Sequence, residues 1–107
     1  MASGLYLAFT HPKDEVSEAR FNEWYDEHHI PEILALDGIT SASRYRSLDS
    51  AASHGYLASY TLEGPDLRAI VERIHAAAPN RTPTATMRTN PGTDFRLFEF
   101  VTSHGAD

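Results

Sequence analysis

The chain has 107 residues, 41% apolar and 22% charged, with 9 basic against 15 acidic side chains, a formal charge of −6 and no cysteine. That length fits one domain spanning 1–107, burying roughly 65% of its unfolded surface, a marginal amount that points to oligomerisation. The missing cysteine excludes disulfides, thiol nucleophiles, cysteine-bound zinc and iron–sulfur clusters, and an acidic balance with a single lysine, Lys13, argues against nucleic acid or an anionic membrane as partner.

Met1-Ala2-Ser3-Gly4 leads into the chain without the basic region and apolar run of about 7–15 residues that a signal peptide needs. No stretch approaches the roughly 20 apolar residues of a membrane span. A cytoplasmic protein is expected. Gly4 to Thr10 (GLYLAFT) alternates as a first strand, with Leu5, Leu7 and Phe9 on one face and Tyr6, Ala8 and Thr10 on the other. His11-Pro12-Lys13-Asp14 is a turn, and Ser17 is the expected N-cap of a helix with Glu18 in its first turn. Phe21, Trp24, Tyr25 and His28 form the apolar stripe of that helix. Pro31 disfavours a helical Ile30, so a break or kink is expected there, followed by a short turn through Glu32-Ile33-Leu34-Ala35-Leu36.

Asp37-Gly38 closes the turn, and Ile39 to Ser47 alternates as a second strand, Thr40, Ala42, Arg44 and Arg46 opposing Ile39, Ser41, Ser43 and Tyr45. A small-residue loop over 48–54 precedes a third strand, Gly55 to Glu63, with Tyr56, Ala58, Tyr60 and Leu62 on one face. Gly64 is expected to cap a second helix, with Pro65 at its first position, Asp66 in its first turn and the stripe Leu67, Ile70, Val71, Ile74 and Ala78. Residues 79–94 carry Pro79, Pro83 and Pro91 and no helical period, a connection long enough to suggest a functional or partner-contacting role. Asp94 to Thr102 is the fourth strand.

The order βαββαβ predicts an α+β, ferredoxin-like sandwich, one four-stranded antiparallel sheet with both helices on one face. The other face, apolar whichever set of residues points there, is too hydrophobic to meet water, and pairing two sheets in a homodimer covers it.

The run Phe21 to Leu34, FNEWYDEHHIPEIL, followed by Asp37-Gly38-Ile39 and an Arg44-Tyr45-Arg46 strand, resembles the EthD-like members of the dimeric α+β barrel superfamily, in which the first helix ends in a His-x-Pro element. His29-Ile30-Pro31 matches that element, so His29 rather than His28 takes the family's histidine position; many relatives carry Pro-Gly where this chain has Asp37-Gly38. The resemblance implies a homodimer whose two sheets form a barrel. Among such relatives are cofactor-independent isomerases, cyclases and monooxygenases, haem-binding degradases and proteins of unknown activity, and a shared fold does not choose among these.

His29, near a helix end and three residues after Asp26, is the first candidate for a general acid/base, its pKa set near neutrality by the helix dipole against apolar neighbours. The bland alternative is a structural histidine bonded to a carbonyl freed at Pro31. His28 is expected in the core beside Trp24 and Phe21, so the adjacent histidines do not share a metal, and no His-x3-His or Glu-x2-His element supports one. Arg44 is the candidate for holding a carboxylate or enolate oxygen, with a solvated strand arginine as its alternative. His75, near the position where haem-degrading relatives place an axial ligand, is otherwise a surface histidine beside Arg81. No Gly-x-Ser-x-Gly elbow or glycine-rich phosphate loop occurs.

The leading expectation is a cofactor-independent enzyme for a compact aromatic, polyketide or lactone-like metabolite, working by the proton transfer that isomerases, cyclases, dehydratases and lyases share. His29 moves the proton, Asp26 or a backbone carbonyl orients it, and Arg44 or a tyrosine hydroxyl stabilises the developing enolate. Trp24, Tyr25, His28, Tyr6, Phe9 and Tyr60 bind substrate, in a pocket between the first helix and the sheet. The alternatives are a non-catalytic ligand-binding or accessory protein, a haem-binding protein, and a cofactor-free monooxygenase.

Overall fold

The computed structural model describes residues 1–106. Strand β1 (Ala2–Thr10) pairs antiparallel with β3 (Tyr56–Gly64) and with β4 (Asp94–Glu99), and β2 (Ile39–Arg46) pairs antiparallel with β3, giving the sheet order β2-β3-β1-β4. The alternation of the sequence decides which face is covered. Tyr6, Ala8 and Thr10 of β1 and Tyr56, Ala58, Tyr60 and Leu62 of β3 are all buried beneath the helices. Leu5, Leu7 and Phe9, with Leu57 and Phe98, fall on the open face. The result is the expected four-stranded antiparallel sheet with its helices on one face.

Helix α1 (Glu18–Trp24) begins at Ser17 as read from the sequence, but the Ser17 side chain makes no capping bond. Asp14 does that work instead: its carboxylate accepts from the Ser17 N–H at 2.8 Å, and this bond holds its pKa below the usual carboxylate value. The expected break at Pro31 does not occur. The chain continues through a π-turn over Tyr25–His29, in which the Ile30 N–H reaches back five residues to the Tyr25 carbonyl, and then through helix α2 (Ile30–Leu34), where Pro31 sits in the first turn and lacks no required donor. Widening one turn lets the helix pass a proline that would otherwise clash with the carbonyl four residues back.

Four other local readings shift. Helix α3 (Leu67–Ala76) is capped not by Gly64 but by Asp66, whose carboxylate accepts from the N–H groups of Arg68 and Ala69, leaving Pro65 outside the helix. Leu67, Ile70 and Ile74 carry its buried stripe, and the helix ends at Ala76, so Ala78 lies in a following 3-10 turn and is exposed. In β2 a bulge between Ile39 and Ser41 breaks the strict alternation: Ile39 pairs with Leu62 and Ala42 with Tyr60, so both face the helices. Gly38, at φ +95°, makes the turn into β2, and a Cβ there would meet Ile70 Cδ1 at 2.8 Å. β4 ends at Glu99 rather than Thr102, although the Phe100 N–H still donates to the Ser3 carbonyl.

The core lies between sheet and helices, with Phe21, Tyr25 and Ile33 packed on Tyr56, Ala58, Tyr60 and Leu62. Burial of the large aliphatic and phenyl side chains among them, Phe21, Ile33 and Leu62, contributes about 1.5–3 kcal/mol each. The 79–94 connection is not structureless. Beyond the short turn at Ala78–Asn80 it is held to the turn after β1 by backbone bonds from Lys13 to Thr86 and from Arg88 to His11, and to the first helix by Thr82, whose carbonyl accepts from Trp24 Nε1 at 3.0 Å and whose N–H donates to Glu32 at 2.9 Å. Among the described residues, no helix is long and apolar enough to cross a membrane.

Candidate functional site

The π-turn reverses the roles expected of the two adjacent histidines. In a regular helix His28 follows Trp24 by four residues and joins the stripe; with bonds spanning five residues, His29 takes that place. His29 accordingly stacks on Trp24 with centroids 4.6 Å apart and meets Tyr25 edge-on at 5.0 Å, while His28 is exposed to solvent. His28 therefore neither belongs to the core nor faces a pocket.

A cavity of about 170 Å³ lies between the helices and the sheet, and His29 forms part of its wall together with Tyr6, Tyr25, Tyr60, His75 and Arg81, against an apolar lining that includes Ile33, Met87 and Phe95. Two of its polar groups have no partner: the buried Nδ1 of His29 and the buried hydroxyl of Tyr60. Such orphaned atoms are uncommon in folded proteins, and each asks for an explanation such as strain, a catalytic role or a bound water or ion. Tyr6 and His75 are instead paired, hydroxyl to Nε2, at 2.7 Å, and Phe95 stacks on the Tyr6 ring at 5.5 Å.

Electrostatics assign states to these groups. Burial pushes the His29 imidazole down to about 4, and Arg81 and Arg44 push the same way against Glu32, so the ring is neutral near pH 7 and not poised at neutrality as the helix-end position alone suggested. Burial raises the Tyr60 and Tyr25 hydroxyls above the ordinary phenol value, which keeps both protonated. A neutral imidazole with an uncommitted nitrogen is a proton acceptor. A phenol that does not ionise is a hydrogen-bond donor.

Besides His28 and Trp24, three of the sequence-predicted residues lie elsewhere. Arg44 does not reach the cavity: its guanidinium sits 4.5 Å over the Tyr25 ring, donates to Asn22 Oδ1 at 2.8 Å and pairs with Asp26 at 3.0 Å, tying α1 to β2. Asp26 is exposed and serves that ion pair instead of orienting His29. Phe9 lies on the open face of the sheet, where it lines a wide hollow of about 660 Å³ with Leu7, Tyr45, Leu57, Arg96 and Phe98. That hollow is the larger of the two, but no orphaned polar group lines it, so the smaller cavity is the better site. Trp24 covers His29 without lining the cavity, while Tyr6, Tyr25 and Tyr60 do line it. Arg81, Met87 and Thr93 were missed because the 79–94 segment has no periodicity to orient its side chains, and Phe95, on β4, was not singled out although it pairs with Ala8 on the helix-covered face.

His75, considered from the sequence as a haem ligand or a surface histidine, is exposed at the surface, and its Nε2 pairs with the Tyr6 hydroxyl beside this cavity. At about 170 Å³ the space falls below the roughly 300–1,000 Å³ of drug-sized ligand pockets, so it does not fit a porphyrin. Among the described residues no three His, Asp or Glu side chains gather in a way that would hold a metal ion.

The fold and cavity define the class: a ferredoxin-like α+β protein with a small enclosed site under its first helix. No family model matches the sequence, and no curated protein matches it significantly. Among solved structures the chain is similar to an EthD family protein from Bacillus halodurans, at 14% identity over 94% of this chain and 100% of that one, with a TM-score of 0.61. It is also similar to a DABB family protein with a ferredoxin-like fold from Mesorhizobium loti (15% identity, 97% and 100% covered, TM-score 0.57) and to a candidate monooxygenase from Shewanella loihica (13% identity, 96% and 99% covered, TM-score 0.59). At such low identity the likeness establishes the ferredoxin-like fold, with EthD and DABB family proteins among the structural neighbours.

Proposed function

We propose that this protein is a cofactor-independent enzyme of the isomerase, cyclase, dehydratase or lyase type that moves a proton on a compact aromatic, polyketide or lactone-like metabolite held in the His29 cavity. The observation that carries the reading is the convergence, on one enclosed space, of an unpartnered neutral imidazole and an unpartnered protonated phenol. In this reading the His29 Nδ1 takes a proton from a carbon next to the substrate carbonyl, the C–H electron pair passes to the carbonyl oxygen, and the Tyr60 hydroxyl donates to the resulting enolate. Protonated His29 then returns the proton at the same or a vinylogous carbon. Tyr6, held by His75, and Tyr25 shape the walls, and Trp24 shields the imidazole from water.

The test is deuterium incorporation in D2O, followed by proton NMR, across a panel of compact lactones and cyclic 1,3-dicarbonyl compounds. Exchange above the buffer rate is expected with at least one class, falling by about 10²–10⁴-fold in His29→Asn. Full exchange in a folded His29→Asn protein removes the mechanism and favours a binding protein.

The proposal includes a homodimer. Leu5, Tyr45, Phe98 and Phe100 are 41%, 58%, 53% and 55% exposed, a contiguous apolar face of the kind that marks an interface, and a second copy would bury well over about 1,200 Å² in total. Sedimentation is expected to give a dimer at micromolar concentration; a stable monomer would sink this part.

A further inference from the structure

Arg81 is an unpaired cation beside a mostly apolar space. Its Nη1 donates to the Ile74 carbonyl in the last turn of α3 at 2.6 Å, which anchors the guanidinium where the helix dipole favours positive charge. Among the described residues its other donors have no acceptor, and no carboxylate lies within ion-pair distance of it. Among the described residues no acidic side chain lines the cavity. Glu32, on the neighbouring helix, accepts from the Thr82 N–H and makes no ion pair with Arg81. A guanidinium with uncommitted donors at the edge of an apolar cavity is matched by a planar oxyanion. The Tyr60 hydroxyl, on a side chain that is 97% buried and without an acceptor, asks for the same kind of oxygen.

We infer that the cavity selects a compact organic monoanion with a small apolar body, its oxyanion received by Arg81 and the Tyr60 hydroxyl. The inference rests on the proposed site and narrows its substrate class to acids: a carboxylate, or an enol or phenol acidic enough to bind ionised. Ile33, Met87 and Phe95 supply the apolar wall for the body of the molecule. The volume of about 170 Å³ limits it to roughly the size of a single-ring acid.

Calorimetric titration with benzoate and with benzamide, two probes of nearly the same shape and different charge, tests this on the full chain. Benzoate is expected to bind about 10–100-fold more tightly than benzamide. In Arg81→Gln the preference should fall below about 3-fold while benzamide affinity is kept, and in Arg81→Lys much of it should return. If Arg81→Gln does not fold, Tyr60→Phe carries the test, with benzoate weakened about 3–10-fold and benzamide less. Equal affinity for the two probes, a preference that survives Arg81→Gln, or no binding of either up to about 10 mM overturns the inference. An intact benzoate preference in a protein that catalyses no exchange would defeat the catalytic reading alone. Histidine-dependent exchange with no charge preference would defeat this inference alone.

Discussion

Replacing Tyr60 by phenylalanine should stabilise the protein and impair it together. The Tyr60 ring is 3% exposed and packs in the centre of the core, opposite Tyr6 on β1 and Ala42 on β2, so phenylalanine keeps the packing and removes one oxygen. That oxygen has no hydrogen-bond partner. Burying an unpaired hydroxyl costs about 1–3 kcal/mol, so its removal should add roughly 1–2 kcal/mol of stability. In a domain of this length each kcal/mol moves the melting temperature by about 4–8 °C, which calorimetry at fixed protomer concentration resolves easily. Turnover should move the other way, by about 10²–10³-fold, the usual worth of one donor to a developing oxyanion. A lower Tm in Tyr60→Phe would show that the hydroxyl is satisfied in the folded protein. Unchanged turnover beside a raised Tm would show that it is an orphan with no part in the chemistry.

Three further outcomes are expected. His29 titrates near 4 folded and near 6.5 unfolded, so the unfolded chain takes up the proton first; its contribution is complete above about pH 6.5 and is lost as pH falls toward 4, by at most about 1.4 kcal/mol per unit, and urea midpoints of wild type and His29→Gln that stay parallel across that window would contradict this. Arg44→Ala should cost about 1–3 kcal/mol by urea unfolding, through lost bonds to Asn22 and Asp26 and lost stacking on Tyr25, with turnover per folded molecule nearly kept; a selective loss of activity would return Arg44 to the chemistry. His28→Ala should change stability by less than about 0.5 kcal/mol and leave turnover alone, and a larger loss in either would show that His28 is not the solvated residue the π-turn makes it.

The neighbouring histidines show where sequence reasoning stops. A helical stripe through Phe21, Trp24 and Tyr25 is legible because its period is local, and the structure buries Phe21 and Tyr25 beneath it. Extending that period to His28 assumes a uniform helix, and the wide turn before Pro31 hands the inward position to His29. Arg44 was legible as a cation on β2 but not as a staple, because Asn22, Asp26 and Tyr25 belong to another element and their distance to it is not a sequence property. Arg81 was read only as the neighbour of a surface histidine, since an aperiodic, proline-containing segment gives no face from which to infer where a side chain points.

What the sequence by itself determined is the order of strands and helices, the two faces of β1 and β3, and the apolar character of the uncovered side of the sheet. Those follow from periods of two and of about 3.6 residues, which the backbone imposes within a few neighbours. What the tertiary structure alone decided is the site. Tyr6, His29, Tyr60, His75 and Arg81 come from five separate parts of the chain and meet at one cavity. Their protonation states and unmet hydrogen bonds depend on how much water that meeting excludes, and the exclusion of water is set by the packed whole and by no segment of it.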